Sequence, residues 1–596
     1  MKKILYLLTT SLLLSCFTSC SDLLDEENHS DSTQDFMETE KGYIMGLTSV
    51  YTAIREIYGD EGGIHGLMNP GTDEMKCGTS SNRTYDIAHY TANYNAGNEF
   101  PKNFWNKAYP RINTLNFLIN NVDKIPTGNV LSEAKKKQYC GEAKFLRAYF
   151  YFNLVQQFGD VTLNTEYNTN PSLAATRTDM MEVYDLIIQD LTEAANECSP
   201  SPQKDNLESG RVSGAAARHL LAKVYLTLGW VYDKSADAYP KNSHNKYYNP
   251  TKAKEYYDKA YATANKLVED AASLGVSLMP RYADVFDETN DAPSGKNKEE
   301  LFVARFDWDL DNTFGYRGTI NHYYVNGYDA YLGERNINDG RCYSWNNPNT
   351  YTYNAFTMRD KDTRYSATFQ TVWYATKTQN GGSVKYKING VDESFDWKLT
   401  TVGDTAMYYP GYTMTANEIR SKTQNRGGKN QYVLFTPDAY DGLKIFPTIM
   451  KYLDRTRGQF NDNTDRSVIV YRLAETYLIG AESAFKAGDN TNAARLINVV
   501  RERARNKETS VAGALDIQSS DVTLDYILEE RTRELLVEHT RWADLARTGT
   551  LLGRVKKYDE AFAKGNIEEK HLLRPIPREQ IDRIVEGEKY PQNSGW

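Results

Sequence analysis

Two segments of the sequence combine aromatic rings with hydrogen-bonding side chains, a combination of residue types that suits sugar recognition. They span residues 79–95 and 321–347, and both are rich in Tyr and Asn. A flat ring can lie against the apolar C–H face of a pyranose, while amide and guanidinium groups bind its hydroxyls. The alternative is that these rings pack a small core of their own. The candidate ligand-binding residues are Asn82, Arg83, Tyr85, Tyr94, Tyr324, Tyr343 and Trp345.

Rings that carry a polar group are concentrated in the middle of the chain. The protein has 44 Tyr and 8 Trp against 21 Phe, and residues 301–444 contain 16 of the Tyr and 4 of the Trp. Such rings suit wet binding surfaces better than dry cores. A long irregular segment within a folded protein is usually functional. The sequence therefore predicts an irregular, partly β, ligand-binding region over residues 301–444.

The clusters of acidic residues favour structural roles over catalysis. The run 529–534 places Glu and Arg four residues apart on a predicted helix, where such a pair stabilises the helix by a few tenths of a kcal/mol. Asp307, Asp309 and Asp311 alternate as in a calcium-binding loop, but the Gly and Glu that complete such a loop are absent. Neither a zinc-protease His spacing nor a phosphate-binding Gly-Lys-Ser/Thr occurs. The sequence predicts no catalytic residue, no metal and no cofactor.

The N-terminus has the pattern of a bacterial lipoprotein signal. Two lysines precede an apolar run over residues 4–14, which is too short to span a membrane. Cys20 follows, and an acidic stretch begins directly behind it, as suits a solvated tether. We predict a signal peptide over residues 1–19 and lipidation at Cys20, with Cys16 as the alternative site. A plain secreted protein with two incidental cysteines is the other interpretation.

The overall composition excludes several classes of protein. With 25% charged residues and a mean hydropathy of -0.64, the chain is not a polytopic membrane protein, and 12% aromatic residues fit poorly with disorder. A net charge of -9 gives no basic surface for nucleic acid. The length of 596 residues indicates two to four domains or one extended architecture. The four cysteines after Cys20 lack zinc-ligand spacing, although an oxidising compartment would allow a disulfide.

Hydrophobic residues at three- and four-residue spacing predict helical flanks around the irregular middle. Two stretches, 221–260 and 477–500, have the spacing of tetratricopeptide helical hairpins, in which small residues such as Gly229 let paired helices approach closely. Generic antiparallel helix pairs are the alternative, and a solenoid needs at least three repeats. Helices are predicted near residues 36–58, 103–122, 131–158, 179–196, 213–229, 251–270, 467–487, 490–505, 520–548 and 577–585.

Seven short motifs are spread over nearly the whole chain. They are Cys-Ser-Asp-Leu-Leu-Asp at 20–25, Phe-Leu-Arg-Ala-Tyr at 145–149, Leu-Ala-Lys-Val-Tyr-Leu at 221–226, Tyr-Arg-Leu-Ala-Glu-Thr-Tyr-Leu at 471–478, Glu-Arg-Thr-Arg-Glu-Leu at 530–535, Arg-Pro-Ile-Pro at 574–577 and Gln-Asn-Ser-Gly-Trp at 592–596. Each motif is weak alone, but in this order they resemble the SusD/RagB family of outer-membrane nutrient-binding lipoproteins. One departure is His539, where the family commonly has Gly.

The resemblance implies a mostly α fold, a tetratricopeptide-like helical repeat scaffold with a large irregular, loop-rich, partly β ligand-binding region. Within it, residues 20–300 would form an N-terminal helical region, 301–444 the ligand-binding region and 445–596 a C-terminal helical region that completes the fold. The resemblance also implies ligand contacts in the loop 79–95 and no catalysis.

The same resemblance implies a function at the cell surface. The implied protein is lipid-anchored in the outer membrane, captures an oligosaccharide and delivers it to a TonB-dependent β-barrel transporter. The alternative within the family is a lipoprotein for peptide uptake, against which the excess of Tyr and Trp favours glycan. A third interpretation is a scaffold whose helices bind a protein and no small ligand.

Overall fold

A computed structural model gives the structure of most of the chain. It describes residues 34–596 except for 78–81, 129, 171, 234–244, 292–293, 307–317, 389–390, 400, 413, 416, 419–420, 422–431, 437–444 and 560–562. The predicted signal peptide, both candidate lipidation sites and the aspartates at 307–311 lie outside the described residues.

Helices form most of the regular structure. Those of twelve or more residues are α1 (Glu40–Gly59), α2 (Glu99–Asn121), α3 (Glu133–Phe158), α4 (Met180–Glu197), α5 (Gly214–Asp233), α6 (Pro250–Asp270), α7 (Leu473–Ala487), α8 (Asn490–Ala504) and α9 (Leu524–Leu535). Shorter helices span Gln34–Met37, His65–Met68, Tyr85–His89, Asp329–Leu332, Thr350–Asn354, Arg364–Thr368, Arg541–Arg547, Leu551–Tyr558, Ala563–Asn566 and Arg578–Arg583. Over the described part of the chain, no helix is long and apolar enough to cross a membrane.

Local sequence signals set where these helices start and stop. Most of the long helices begin at a side chain that accepts an N–H group of the first turn, which satisfies a donor that has no partner within the helix. Gly488, with a φ of +90°, ends α7 and lets α8 begin two residues later. The capping residues are Thr39, Asn98, Ser132, Asp179, Asn249, Asp489 and Thr523.

The first eight long helices pack in chain order as four consecutive pairs. The two predicted hairpins are confirmed as the pairs α5–α6 and α7–α8, and α1–α2 and α3–α4 extend the array. A Cβ on Gly229 of α5 would stand 2.5 Å from ring carbons of Tyr257 on α6, so only glycine allows this approach. The Tyr257 hydroxyl donates to Asp233 at 3.0 Å, which fixes the ring. The structure is thus mostly α, as predicted.

Two predicted helices are wrong in part, one at its start and one in its interior. Residues 468–472 form a strand instead of the first turn and a half of α7, because all five side chains are buried between neighbours and pair with a second apolar strand. The predicted helix over 520–548 is broken into α9 and the short helix Arg541–Arg547. Val537 and His539 lie between the two helices with φ values of +60° and +62°, a left-handed conformation that a helix cannot contain.

The strands are short and mostly lie in the middle region, as predicted. The longest pair, β6 with β7, is an antiparallel hairpin, and β2 pairs with β11 beside the helical array. The strands are β1 (Met75–Cys77), β2 (Glu300–Ala304), β3 (Asn346–Pro348), β4 (Phe369–Gln370), β5 (Val372–Tyr374), β6 (Gln379–Ile388), β7 (Val391–Leu399), β8 (Thr405–Tyr408), β9 (Val433–Leu434), β10 (Thr448–Ile449) and β11 (Val468–Arg472).

Two buried carboxylates of α9, Glu530 and Glu534, are bound by arginines from other elements. Arg364 reaches Glu530 at 2.7 Å and Glu534 at 3.1 Å, and Arg472 reaches Glu534 at 2.7 Å. Burial by itself would raise the pKa of Glu534, but the surrounding guanidinium groups hold that pKa well below its usual range. The predicted structural role of this run is confirmed, although the predicted pair within the helix, Glu529 with Arg533, is only a loose contact at 3.8 Å.

The C-terminal segment is bonded to the N-terminal third of the chain. Asp73 is buried and accepts from Arg541 at 2.7 Å, and Arg554 binds the same carboxylate. Arg574 donates to the Leu67 carbonyl oxygen, and Trp542, which the sequence predicts as a core residue, is fully buried beneath the Arg574 guanidinium. These contacts hold the loops that follow α1 against the last hundred residues.

Candidate ligand-binding site

The two segments that were predicted to share a ligand meet at a short β ladder. β1 pairs with β3 in antiparallel register, with Cys77 opposite Asn346. Just beyond the ladder, the Asn82 side-chain amide donates to the Trp345 carbonyl oxygen at 2.9 Å. The loop after β1 and the segment before β3 are therefore neighbours, as a joint site requires.

Three rings beside this ladder lie nearly parallel and form a surface that we call the aromatic platform, made of Tyr323, Tyr343 and Trp345. The centroid of Trp345 is 4.8 Å from that of Tyr323 and 6.2 Å from that of Tyr343, with interplanar angles of 26° and 27°. Tyr323 is buried, whereas Trp345 is half-buried and Tyr343 is 36% exposed. One buried ring thus supports two rings that reach the solvent.

A buried histidine fills the space behind the aromatic platform. The His322 ring centroid lies 4.7 Å from Tyr343, 5.0 Å from Tyr323 and 5.2 Å from Trp345. Burial holds the pKa of His322 well below its usual range, and the positive charge of Arg341 lowers that pKa further. The imidazole is therefore neutral at physiological pH and packs against the three rings.

An ion-pair cluster lies next to this histidine. Arg83 contacts Glu61 at 3.0 Å and donates from Nε to Glu99 at 3.0 Å, and Glu61 Oε1 is 3.8 Å from His322 Nε2. The hydrogen bond to Glu99 raises the pKa of Arg83, whose guanidinium remains charged. Glu61 thus lies between the back of the platform and Arg83, a predicted ligand-binding residue. The carboxylates of Glu61 and Glu99 compensate the charge of Arg83.

A second guanidinium borders the exposed part of the platform. Arg341 Nη2 donates to the Tyr343 hydroxyl at 2.6 Å, and Arg341 Cζ lies 4.4 Å from the centre of that ring. Arg341 Nη1 donates to Asn463 at 3.0 Å. The exposed tyrosine is therefore held in place by the half-buried guanidinium of Arg341.

Two of the predicted ligand-binding residues are core residues. Tyr94 is 3% exposed, accepts from Arg574 at 3.0 Å, and packs against Trp596 with ring centroids 4.9 Å apart. Tyr324 is 1% exposed and accepts from the Asn69 amide at 2.7 Å. Because these rings are covered by the chain itself, a ligand cannot reach them, and both predictions were wrong.

Of two further predicted residues, only Asn82 has a hydrogen bond to a platform residue. Asn82 is nearly buried, and its amide oxygen accepts from the Thr84 backbone N–H at 3.2 Å while its nitrogen binds Trp345. Through this hydrogen bond to the Trp345 backbone, Asn82 helps to position the platform. Tyr85 is half-buried, with its ring centroid 4.5 Å from that of His89.

Sequence reasoning missed parts of the platform that depend on the local backbone. The adjacent Tyr323 and Tyr324 have the same side chain, but the 3-10 turn Ile320–His322 sends the first ring to Trp345 and the second into the core. Glu61 follows α1 and lies outside both segments, and nothing in the sequence connects it with Arg83.

Other candidate sites are less suited to a ligand. Among the described residues, no three His, Cys, Asp or Glu side chains are placed to hold a metal ion. A cavity of about 660 Å³ lies beside α2, but one of its amides, Asn113, already donates to the Asn168 carbonyl at 2.9 Å. A cavity of about 240 Å³ lies beside β2. Of the described residues lining these two cavities, only Tyr109 and Phe302, respectively, are aromatic.

Two protein-family models together match nearly the whole chain. Residues 230–596 match the family model described as the SusD family, and residues 22–226 match one described as starch-binding associating with outer membrane. The SusD-like protein P25 of Formosa agariphila is 25% identical over 591 residues, which cover 96% of this chain and 95% of that protein. A SusD-like protein of Bacteroides ovatus is 24% identical, with 91% and 82% covered.

Solved structures of similar fold have SusD-like names. A laminarin-binding SusD-like protein superposes with a TM-score of 0.64 at 21% identity, covering 94% of this chain and 100% of that one. A SusD homologue from Bacteroides thetaiotaomicron gives a TM-score of 0.67 at 21% identity, with 93% and 97% covered. Since the SusD family model matches more than half of the sequence and the fold agrees, this chain belongs to the SusD family.

Proposed function

We propose that this protein binds an oligosaccharide on the aromatic platform without catalysing a reaction. The single observation that carries the proposal is the pair of solvent-reaching rings, Tyr343 and Trp345, backed by a buried third ring and bordered by a guanidinium group. Near-parallel rings offer apolar faces to pyranose C–H groups, and the neighbouring polar groups can bind hydroxyls. A peptide ligand would instead need a groove of backbone-binding groups.

We further propose that the bound glycan is passed to a TonB-dependent β-barrel transporter by a protein that is lipid-anchored at Cys20 on the cell surface. Support comes from the membership of the SusD family, from the outer-membrane association in the description of the second family model, and from the lipoprotein-like N-terminus. Binding on a preformed platform followed by release needs no catalytic group, in keeping with the structural role of the buried acids on α9.

The test compares two tryptophans that are both half-buried. Trp345→Ala removes a platform ring, whereas Trp397→Ala removes a ring on β7 that is not part of the platform. Affinity electrophoresis against a panel of polysaccharides, followed by calorimetry with oligosaccharides of the bound one, measures the effect. Loss of a stacked ring costs ~1–3 kcal/mol on nucleobases, so we expect Trp345→Ala to weaken binding ~10–100-fold. Trp397→Ala should bind as the wild type does.

The same measurements can contradict the proposal. If both variants bind equally well, the platform is not the site. If no polysaccharide binds and a library of peptides does, the family's alternative function in peptide uptake replaces this one. Turnover of the bound glycan by purified protein would show that the protein is an enzyme.

A further inference from the structure

We propose that the glycan carries an anionic group, a uronate carboxylate or a sulfate ester, and that Arg341 binds it. This inference rests on the proposed function and adds the chemical class of the ligand. It follows from how the charges around the aromatic platform are compensated.

Arg341 is held in place by neutral partners. Its two terminal nitrogens donate to the Tyr343 hydroxyl and the Asn463 amide oxygen, and its Nε has no hydrogen-bond partner among the described residues. Neither of these partners is a carboxylate, so among the described residues no ion pair compensates the positive charge that is held beside the platform.

A second arginine, Arg457, is buried and donates to the backbone carbonyls of Asp454, Phe460, Asp462 and Ile337. Burial lowers the pKa of Arg457, the carboxylates of Asp454 and Asp462 oppose that effect, and the positive charge of Arg341 lowers the pKa further. Carboxylates thus act on the charge of Arg457, in contrast to the neutral partners of Arg341.

Arg83, a further cation near the platform, has different partners. Arg83 is bound by two carboxylates, Glu61 and Glu99, so an anionic ligand would meet their negative charge as well. Arg341 has no such competitor among the described residues and lies against Tyr343, one of the two exposed rings. A sugar ring stacked on the platform would bring a carboxylate or sulfate within reach of the Arg341 fork, whose geometry suits planar and tetrahedral oxyanions.

The experiment uses ligand pairs that differ only in charge. The first pair is homogalacturonan and the same polymer after reduction of its carboxylates, and the second is a sulfated galactan and its desulfated form. Alginate, glucuronoxylan, starch and laminarin complete the panel. The proteins are the wild type, Arg341→Gln, Arg341→Lys and Arg359→Gln. Arg359 is a matched control because its guanidinium also lies over a tyrosine, Tyr365, and donates to backbone carbonyls away from the platform.

We expect the wild type to bind one charged polymer at least ~10-fold more tightly than its neutral counterpart, and to lose affinity as NaCl is raised. Which pair responds distinguishes the carboxylate from the sulfate. Arg341→Gln should lose ~10–100-fold for the charged polymer and most of its salt dependence, with little change for the neutral one. Arg341→Lys should keep the salt dependence and recover part of the affinity, because it retains the charge but not the fork. Arg359→Gln should match the wild type.

Three results would overturn the inference. If neutral polymers bind through Trp345 and their charged counterparts bind no better, the ligand is neutral and the proposed function stands alone. If Arg341→Gln weakens neutral and charged polymers equally while its melting temperature is unchanged, Arg341 only positions Tyr343. If no polysaccharide in the panel binds in a Trp345-dependent way, the proposed function fails and this inference fails with it. If Arg341→Gln does not fold, the affinity of Arg341→Lys for the charged polymer and the salt dependence of the wild type test the inference instead.

Discussion

A pair of buried histidines shows how single residues set the response of this protein to acid. His65 Nε2 lies 2.6 Å from the Tyr58 carbonyl oxygen, and His65 Nδ1 is hydrogen-bonded to His539 Nε2. Because a carbonyl oxygen can only accept, His65 carries its proton on Nε2, and Nδ1 accepts from His539. A single proton can be added to this pair, but a second would place two N–H groups face to face.

We expect this pair to destabilise the protein below neutral pH. Burial lowers the pKa of His65 from 6.5 to about 4, and burial with the nearby His65 holds the pKa of His539 well below its usual range. The unfolded chain takes up protons near pH 6.5 and the folded pair does not, so stability is lost as the pH falls from 6.5 toward 4. His65 contributes roughly 1.4 kcal/mol per pH unit in that window, and His539 adds a loss in the same direction.

Urea unfolding at pH 7.5, 6.5 and 5.5 checks this expectation in the wild type and in His539→Asn. Asn tolerates the left-handed backbone at position 539, where φ is +62°. The variant should show a shallower loss of stability between pH 6.5 and 5.5, while other buried histidines such as His219 and His322 keep part of the slope. Equal slopes would show that this pair does not titrate on unfolding.

The residue types of the candidate site could be chosen from the sequence, but their arrangement could not. The chemistry of sugar recognition points to the two segments that meet at the ladder and to Tyr343 and Trp345, which stay predictions as ligand contacts. Tyr94 and Tyr324 have the same composition around them and are buried, because burial depends on which distant segments cover a ring. Glu61 and the charge of Arg341, which no described carboxylate pairs with, became visible only with the three-dimensional contacts.

At the scale of elements, the close approach of α5 and α6 depends on one glycine. A Cβ at position 229 would stand 2.5 Å from the Tyr257 ring, and Tyr257 cannot easily move because its hydroxyl is bonded to Asp233. We expect Gly229→Ala to cost ~1–3 kcal/mol through overpacking and to lower the melting temperature. Differential scanning calorimetry measures the change.

Gly553, in the short helix Leu551–Tyr558, gives a matched control. A Cβ there meets no atom within 4 Å, so Gly553→Ala should leave stability unchanged or raise it by up to ~1 kcal/mol through helix propensity. If Gly229→Ala is as well tolerated as Gly553→Ala, the two helices can separate without cost, and the argument for close packing fails.

Element types could be predicted where the hydrophobic period was long and unbroken. The spacing in α3, α5 and α6 gave helices whose observed bounds differ by a few residues from the predicted ones. Residues 467–472 were predicted as helix but largely form β11. A run of buried apolar residues has no period that separates strand from helix, and the pairing with β2 joins residues more than 160 positions apart in sequence. The break after α9 depends on backbone angles at Val537 and His539, neither of which is a residue that usually ends helices.

At the scale of the whole molecule, the proposed lipid anchor at Cys20 gives a prediction about where the protein resides. We expect Cys20→Ala to abolish labelling with radioactive palmitate in the producing bacterium and to release the protein from the membrane fraction or leave it unprocessed. Cys16→Ala is the control and should remain labelled and membrane-bound. If Cys20→Ala is still labelled and Cys16→Ala is not, the lipidated residue is Cys16, and the mature protein begins four residues earlier.

The bonds between Asp73 and the arginines at 541 and 554 have a consequence for synthesis of the chain. A polypeptide leaves the ribosome N-terminus first, so the carboxylate of Asp73 emerges more than 460 residues before its first partner. Until then this acid, the Leu67 carbonyl and the loops around them lack the groups that bury them in the finished molecule. The loops after α1 therefore cannot be buried as in the finished molecule until residues 541–574 are present, so chains truncated near residue 540 should be cleaved by proteases faster than the full chain.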